Sequence, residues 1–297
     1  MSKKTHFQQS SEEIVLGEDE ASKLADELKS ELQRGSIPTA DEKRIQLIIA
    51  GLGDRRGLLR RTFAESLGAI GKSTVPALRK ALIQHSNVTV RRAAAKALKL
   101  VGDPSALPDL LLALINDKDP VVQGSSVAAM AIFGESAVEY LLAVLVNSNS
   151  TTTQCGLASW GLSFIGAEAP KALRKAAQSK NAVVKAAAIS ALGEQIQLLG
   201  DKSAKNLVVN ALEDPAIEVR AAATTLMGKL DDPLWARPLL IKRLADPNPG
   251  VRKNAALSLM KLKASDAINE LKKIYRTEKD AEVSPVLKLV INNLSKG

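Results

Sequence analysis

An all-α chain, built as an α-solenoid of about seven helix pairs with capping helices at both ends, is what this sequence predicts. The first observation is a period. Val-Arg and an alanine-rich run return throughout, with equivalent positions at Leu59, Val90, Val122, Gln154, Val184, Val219 and Val251, spaced by 31, 32, 32, 30, 35 and 32 residues. The second is composition. Alanine and leucine dominate the repeats and aromatic residues are only 3 % of the 297, which suits tightly stacked, small-faced helices. The third is helical punctuation that recurs without the period-two alternation of a strand. Such a repeat places function on an extended surface rather than in a catalytic pocket.

In chain order, the stretch up to about Val15 is polar and reads as a disordered tail. GEDEASKLADELKSELQRG follows, with acids at its start, leucines at helical spacing and Gly35 at its end. It predicts a capped amphipathic helix from Asp19 to Arg34. Ser36-Ile37-Pro38 then separates it from the repeats. Residues 1–38 thus read as tail and acidic helix, 39–265 as the repeat array and 266–297 as C-terminal capping helices. Within the array Pro76, Pro108, Pro170 and Pro238 fall in opening turns of first helices, where the missing N–H has no intrahelical partner to lose. Asp54, Asn87, Asp119, Thr151, Asn181, Asp214 and Asp246 precede the second helices as N-caps. Gly71, Gly102, Gly134 and Gly166 fit left-handed helix ends.

Charge is uneven. The net charge is +9, with 5 Lys/Arg against 8 Asp/Glu in residues 1–38, 23 against 18 in 39–232, and 13 against 6 in 233–297. A basic surface attracts an acidic partner, protein or nucleic acid, although each charge can equally be a solvated helical face. No apolar run approaches the ~20 residues of a membrane span, and MSKKTHFQQSSEE lacks the apolar core of a secretory signal. The single cysteine, Cys155, cannot form an internal disulfide. These features predict a soluble, cytosolic-type protein.

Catalytic chemistry finds little footing. Two histidines, His6 and His85, and one cysteine do not make a metal or iron–sulfur site, so no metal is expected. Cys155, in TTTQCGLASWGLSFIG, is the one conceivable nucleophile. It stands where other repeats place Arg91, Lys185, Arg220 or Arg252 and has no histidine near it in sequence. The ladder of Arg60, Arg91, Lys185, Arg220 and Arg252 has two readings: fastening each repeat to the aspartates of the adjacent turn, or gripping a partner. Arg61, Arg92, Lys96 and Lys253 lie outside the fastening role and are better candidates for contact. Gln123 and Cys155 interrupt the ladder, leaving an uncharged window with Gly124, Gly156, Trp160 and Phe164. Trp160 there is either a core residue or a binding hot spot.

Some phrases also carry a resemblance. PxL…AL…D…VRxAAxxAL resembles HEAT-like repeats of the bilin-lyase variety over roughly residues 39–263. GLGDRRGLLRRTFAESLGAIG, HSNVTVRRAAAKAL, LLLALINDKDPVVQGSSVAAMA and LASWGLSFIGAEA together resemble the cyanobacterial E/F-type phycobilin lyase subunits and the phycobilisome-degradation proteins of the non-bleaching phenotype. Arg55 stands where that pattern has proline, and the acidic N-terminal helix is not part of it. The resemblance implies a protein that binds phycobiliproteins or their linear tetrapyrroles on a concave helix surface, in bilin attachment, bilin detachment or phycobilisome turnover. It implies no tightly bound cofactor, only a transient tetrapyrrole of the phycocyanobilin type. The partners would be an acidic phycobiliprotein subunit and a second HEAT-type subunit, and the location cytoplasmic, on the stromal side of thylakoids. Bilin propionates suit lysine and arginine, and Trp160 suits a pyrrole ring. Any lyase-like activity is left undecided by the residues.

Two other readings compete. A related cyanobacterial HEAT protein is associated with iron–sulfur assembly scaffolds, so a non-catalytic adaptor for an acidic assembly partner fits the same charge. Nucleic-acid binding is disfavoured because two Trp and two Tyr, widely spaced, make few stacking platforms.

Overall fold

The computed structural model describes residues 13–38 and 41–296. The expected tail through residue 12, with His6, and the start of the array at Thr39 lie outside the described residues. Those residues form 18 α-helices and four one-turn 3-10 segments, and no strand occurs among them. They make two compact units, which divide between Phe133 and Gly134.

The first unit contains α1 (Glu18–Gln33), α2 (Glu42–Gly51), α3 (Gly57–Ile70), α4 (Val75–Gln84), α5 (Val88–Val101), α6 (Leu107–Asn116) and α7 (Pro120–Ala131). Consecutive helices from α2 onward pair as hairpins. The second members α3, α5 and α7 stack in one layer, while α2, α4 and α6 stack in the other. Between the layers Ile48, Phe63, Leu67, Leu78, Leu98, Leu110 and Met130 lose essentially all exposure, each burial stabilising by about 1.5–3 kcal/mol. The helix α1 presents Ala21, Ala25 and Leu28 on one stripe and packs on α3 as a preceding second helix would, so it acts as the cap of this unit.

The second unit contains α8 (Glu135–Val146), α9 (Thr152–Ile165), α10 (Pro170–Ala176), α11 (Ala182–Ser190), α12 (Gly193–Gln197), α13 (Lys202–Ala211), α14 (Ile217–Met227), α15 (Pro233–Arg243), α16 (Pro249–Lys261), α17 (Ile268–Thr277) and α18 (Val283–Leu294). Here α9, α11, α14, α16 and α18 form the second-helix layer. The long 35-residue step between Val184 and Val219 is explained by α12, an extra short helix whose Gln195 is buried and donates from Nε2 to the Gly166 carbonyl at 3.2 Å.

Local chemistry follows the punctuation at most positions and departs from it at a few. Asn87, Asp119, Thr151 and Asn181 are N-caps, and Thr151 forms a capping box with Gln154. Asp54, Asp214 and Asp246 instead sit two residues before the true N-caps Arg56, Ala216 and Asn248, whose N–H groups they accept at 2.7–2.9 Å. An aspartate there closes a turn and keeps an oxygen free for a neighbouring repeat. Pro238 lies inside α15 rather than in its opening turn, because Asp232 and Pro233 form the start of that helix. Gly102 is left-handed as expected (φ 68°, ψ 28°), whereas Gly71 pairs φ 83° with ψ −142°, a region essentially restricted to glycine. Finally, Glu13 to Val15 are ordered: Glu13 accepts from the Ser86 N–H at 2.8 Å and from its hydroxyl.

Candidate functional site

The cation ladder is spoken for. In the first unit Arg91 donates from Nε and Nη2 to Asp117 at 2.7 and 3.2 Å, and from Nη1 to the His85 and Ser86 carbonyls. Arg60 keeps the contact to its own turn, at Asp54 O, but meets no acid among the described residues, since His85 occupies the position that Asp117 fills one repeat on. Burial, foremost, holds the His85 pKa below its usual value against the opposing pull of Glu13, and its Nδ1 accepts the Asn87 N–H at 3.1 Å. Gln123 retains only the turn contact, to Asp117 O at 2.8 Å. In the second unit Lys185 pairs with Asp214, Arg220 with Asp246 and Arg252 with Glu278, at 2.7–3.0 Å. Each links one repeat to the turn of the next.

Two cations expected to lie outside this role are inside it. Arg92 forms a two-point pair with Asp119 at 2.9 and 2.5 Å, and Lys253 reaches Glu282 at 2.9 Å. The offset of 27–29 residues from a position one beyond the ladder was not part of the repeated phrase. Arg61 pairs within its own helix with Glu65. Lys96 alone of the four is exposed without an ion-pair partner among the described residues. A parallel set on the first helices escaped the sequence reading altogether: Arg79–Asp109 in the first unit, and Arg174–Asp201, Lys205–Asp232 and Arg237–Asp266 in the second.

The Arg92 guanidinium, foremost, holds the Asp119 carboxyl down at about 2, helped by N–H groups of Val121 and Val122. A carboxyl lowered on folding contributes stability above its unfolded value and loses it as pH falls through the folded one. Wild type is therefore expected to shed stability between about pH 4 and 2 partly at this site. In Asp119→Asn that part of the acid dependence should be missing from unfolding curves taken across the window. Retention of the full wild-type slope would count against it.

Where the ladder is interrupted in the second unit, the surface changes character. On α9 Gly156, Trp160 and Phe164 follow at four-residue steps, opposite the buried Ala158, Leu162 and Ile165. Trp160 is 48 % and Phe164 55 % exposed, with ring centroids 5.7 Å apart and planes tilted by 36°. Of the two readings of Trp160, the core one does not hold: the apolar pair lies on the outer stripe of its helix. Above Gly156 the space is open. Equivalent positions in the neighbouring helices carry the small Ala186 and Ser190 in α11 and Ala221 and Thr225 in α14. In the first unit the same stripe holds Arg61 and Glu65 in α3, Arg92 and Lys96 in α5, and Gly124 and Ala128 in α7. Each part of the expected window thus belongs to its own unit.

Cys155 is half-buried with Sγ 4.0 Å from the Val144 carbonyl, and no base or cation is found against it among the described residues. Its repeat partner position is also uncharged, since Ser179 accepts the Asn181 N–H where Asp214 and Asp246 stand elsewhere. No group of three His, Cys, Asp or Glu side chains among the described residues is arranged to hold a metal ion. No helix among them is long and apolar enough to cross a membrane.

Comparison with known proteins bears on this surface. The HEAT repeats family matches residues 45–131, 75–157, 169–236 and 206–287. The bilin biosynthesis protein MpeU of Synechococcus sp. (strain WH8020) is 46 % identical over 282 residues, 95 % of each chain. An uncharacterized phycocyanin operon protein Z of Pseudanabaena tenuis is 35 % identical over 118 residues, 37 % of this chain and 58 % of its own. Among solved structures, the karyopherin Kap121p bound to the SUMO protease Ulp1p is similar over 87 % of this chain and 38 % of that one, with a TM-score of 0.51 and 13 % identity, a likeness of fold alone.

Proposed function

We propose that this chain, which belongs to the HEAT-repeat family and within it to the bilin-biosynthesis proteins related to MpeU, binds a phycobiliprotein and handles its linear tetrapyrrole. The observation that carries the reading is the exposed Trp160–Phe164 pair over an open glycine and small neighbouring side chains. A flat conjugated ligand needs such a face: aromatic surface to lie against and no bulky side chain in the way. The tetrapyrrole would be transient, of phycocyanobilin type, and its protein acidic, to match a net charge of +9. A second HEAT-type subunit, the stromal side of thylakoids, and attachment, detachment or antenna turnover belong to the same reading. Cys155 has no activating neighbour among the described residues and is given no covalent step.

Mixing the protein with chromophore-bearing phycocyanin at moderate salt tests the reading. A shift or loss of the visible bilin band over time is expected. Binding without spectral change, abolished at high salt, would instead leave an adaptor for an acidic partner, such as an iron–sulfur assembly protein.

A further inference from the structure

The C-terminal section, residues 233–297, holds 13 Lys/Arg and 6 Asp/Glu. Every one of those carboxylates is engaged within the protein. Asp246 takes Arg220 and lies 3.6 Å from Arg243, Asp266 takes Arg237, Glu270 takes Lys273, Glu278 takes Arg252 and Glu282 takes Lys253. Asp280 caps α18 by accepting the N–H groups of Glu282 and Val283. Five of the section's cations are consumed by these pairs, and the other eight are all exposed and without a partner among the described residues. Asp266, Glu270 and Glu282 stay exposed, but in pairs, so the surface of this section keeps an excess of positive charge.

Six of these eight cations lie on or beside α16, α17 and α18, of which α18 packs against both of the others. Lys261 ends α16 and Lys263 follows it, with φ of 50°. Lys272 and Arg276 are one turn apart on α17, Lys279 lies in the turn after it, and Lys288 projects from α18. With no acid left over to form local pairs, the field of these groups is directed at whatever approaches.

We propose that the α16–α18 end is a docking surface for a carboxylate-rich face of a partner protein, separate from the α9 aromatic surface and independent of any chromophore. Charge complementarity argues for an acidic partner, and the shortage of aromatic rings for protein over nucleic acid. Tyr275, 37 % exposed, is the one ring on α17 that a base could stack upon.

The full-length chain and fluorescein-labelled poly-L-glutamate provide the test, followed by anisotropy at fixed salt. The triple variant Lys272→Glu, Arg276→Glu, Lys279→Glu is expected to weaken binding by about tenfold or more. Reversal of Lys43, Lys99 and Lys118, exposed cations of the first unit, should change it by less than about twofold. The glutamine triple at the first three positions, expected to fall between wild type and the reversal, serves if reversal disturbs the helical circular dichroism. Equal losses from the two triple reversals would overturn the proposal. So would tighter binding of oligo-dT of matched charge at the same salt, or salt-sensitive self-association in sedimentation that the α17 reversal abolishes. Because poly-L-glutamate carries no bilin, failure here is distinguishable from failure of the chromophore reading.

Discussion

Replacing Arg220 with alanine is expected to lower the unfolding free energy by about 3 kcal/mol, among the largest single effects available in this chain. The Asp246 side chain is 0 % exposed and its carboxylate accepts from Arg220 Nε and Nη2 at 2.9 and 3.0 Å. Truncation leaves that carboxylate buried, with the Asn248 N–H and a more distant Arg243 as its remaining support. It also removes the donor that the Asp214 and Pro215 carbonyls share. The comparison is Arg61→Ala: its pair with Glu65 is 75 % and 44 % exposed, so a change within about 0.5 kcal/mol is expected. Urea titrations followed by circular dichroism read both. If the two variants unfold alike, the ladder is not what fastens the repeats.

Trp160→Ala is expected to do the opposite: cost only about 1–1.5 kcal/mol of stability and weaken the phycocyanin interaction by about tenfold or more. Half of the residue already faces water, so only half of its burial is lost. What disappears is a flat apolar surface beside Phe164. Trp160→Phe keeps a ring there and should recover much of the binding. The bilin-band assay and a thermal melt separate the two effects. An alanine variant with unchanged spectral response would remove the aromatic pair from the site.

The helical hairpins were legible because their signals are local and repeated: a cap such as Asn87, a stripe such as Val90, Ala94 and Leu98, a stop such as Gly102. The ladder was legible as an alternative, fastening or gripping, because its acids recur in the turns. Arg92 and Lys253 were misread because their acids, Asp119 and Glu282, lie in two repeats only, and a pattern seen twice looks like background. Pro238 was misplaced because two prolines compete for one helix start, and the capping Asp232 favours Pro233. Trp160 was left undecided for a different reason. Its helix has apolar residues on both sides, and periodicity alone does not say which stripe is the core. Only the structure shows the space above Gly156, one turn before Trp160, to be open, which marks that stripe as the outer face.

The uncharged positions on α9 also determine how that helix is held. At its C-terminal end the Gly166 carbonyl accepts from Gln195, and the Ala167 N–H donates to Glu194 at 3.3 Å. At its N-terminal end, where α11, α14 and α16 send a cation to the following turn, Cys155 sends none. The helix bearing the aromatic pair is thus joined to the next repeat without a ladder charge, by apolar packing and by the contacts at its Gly166 end.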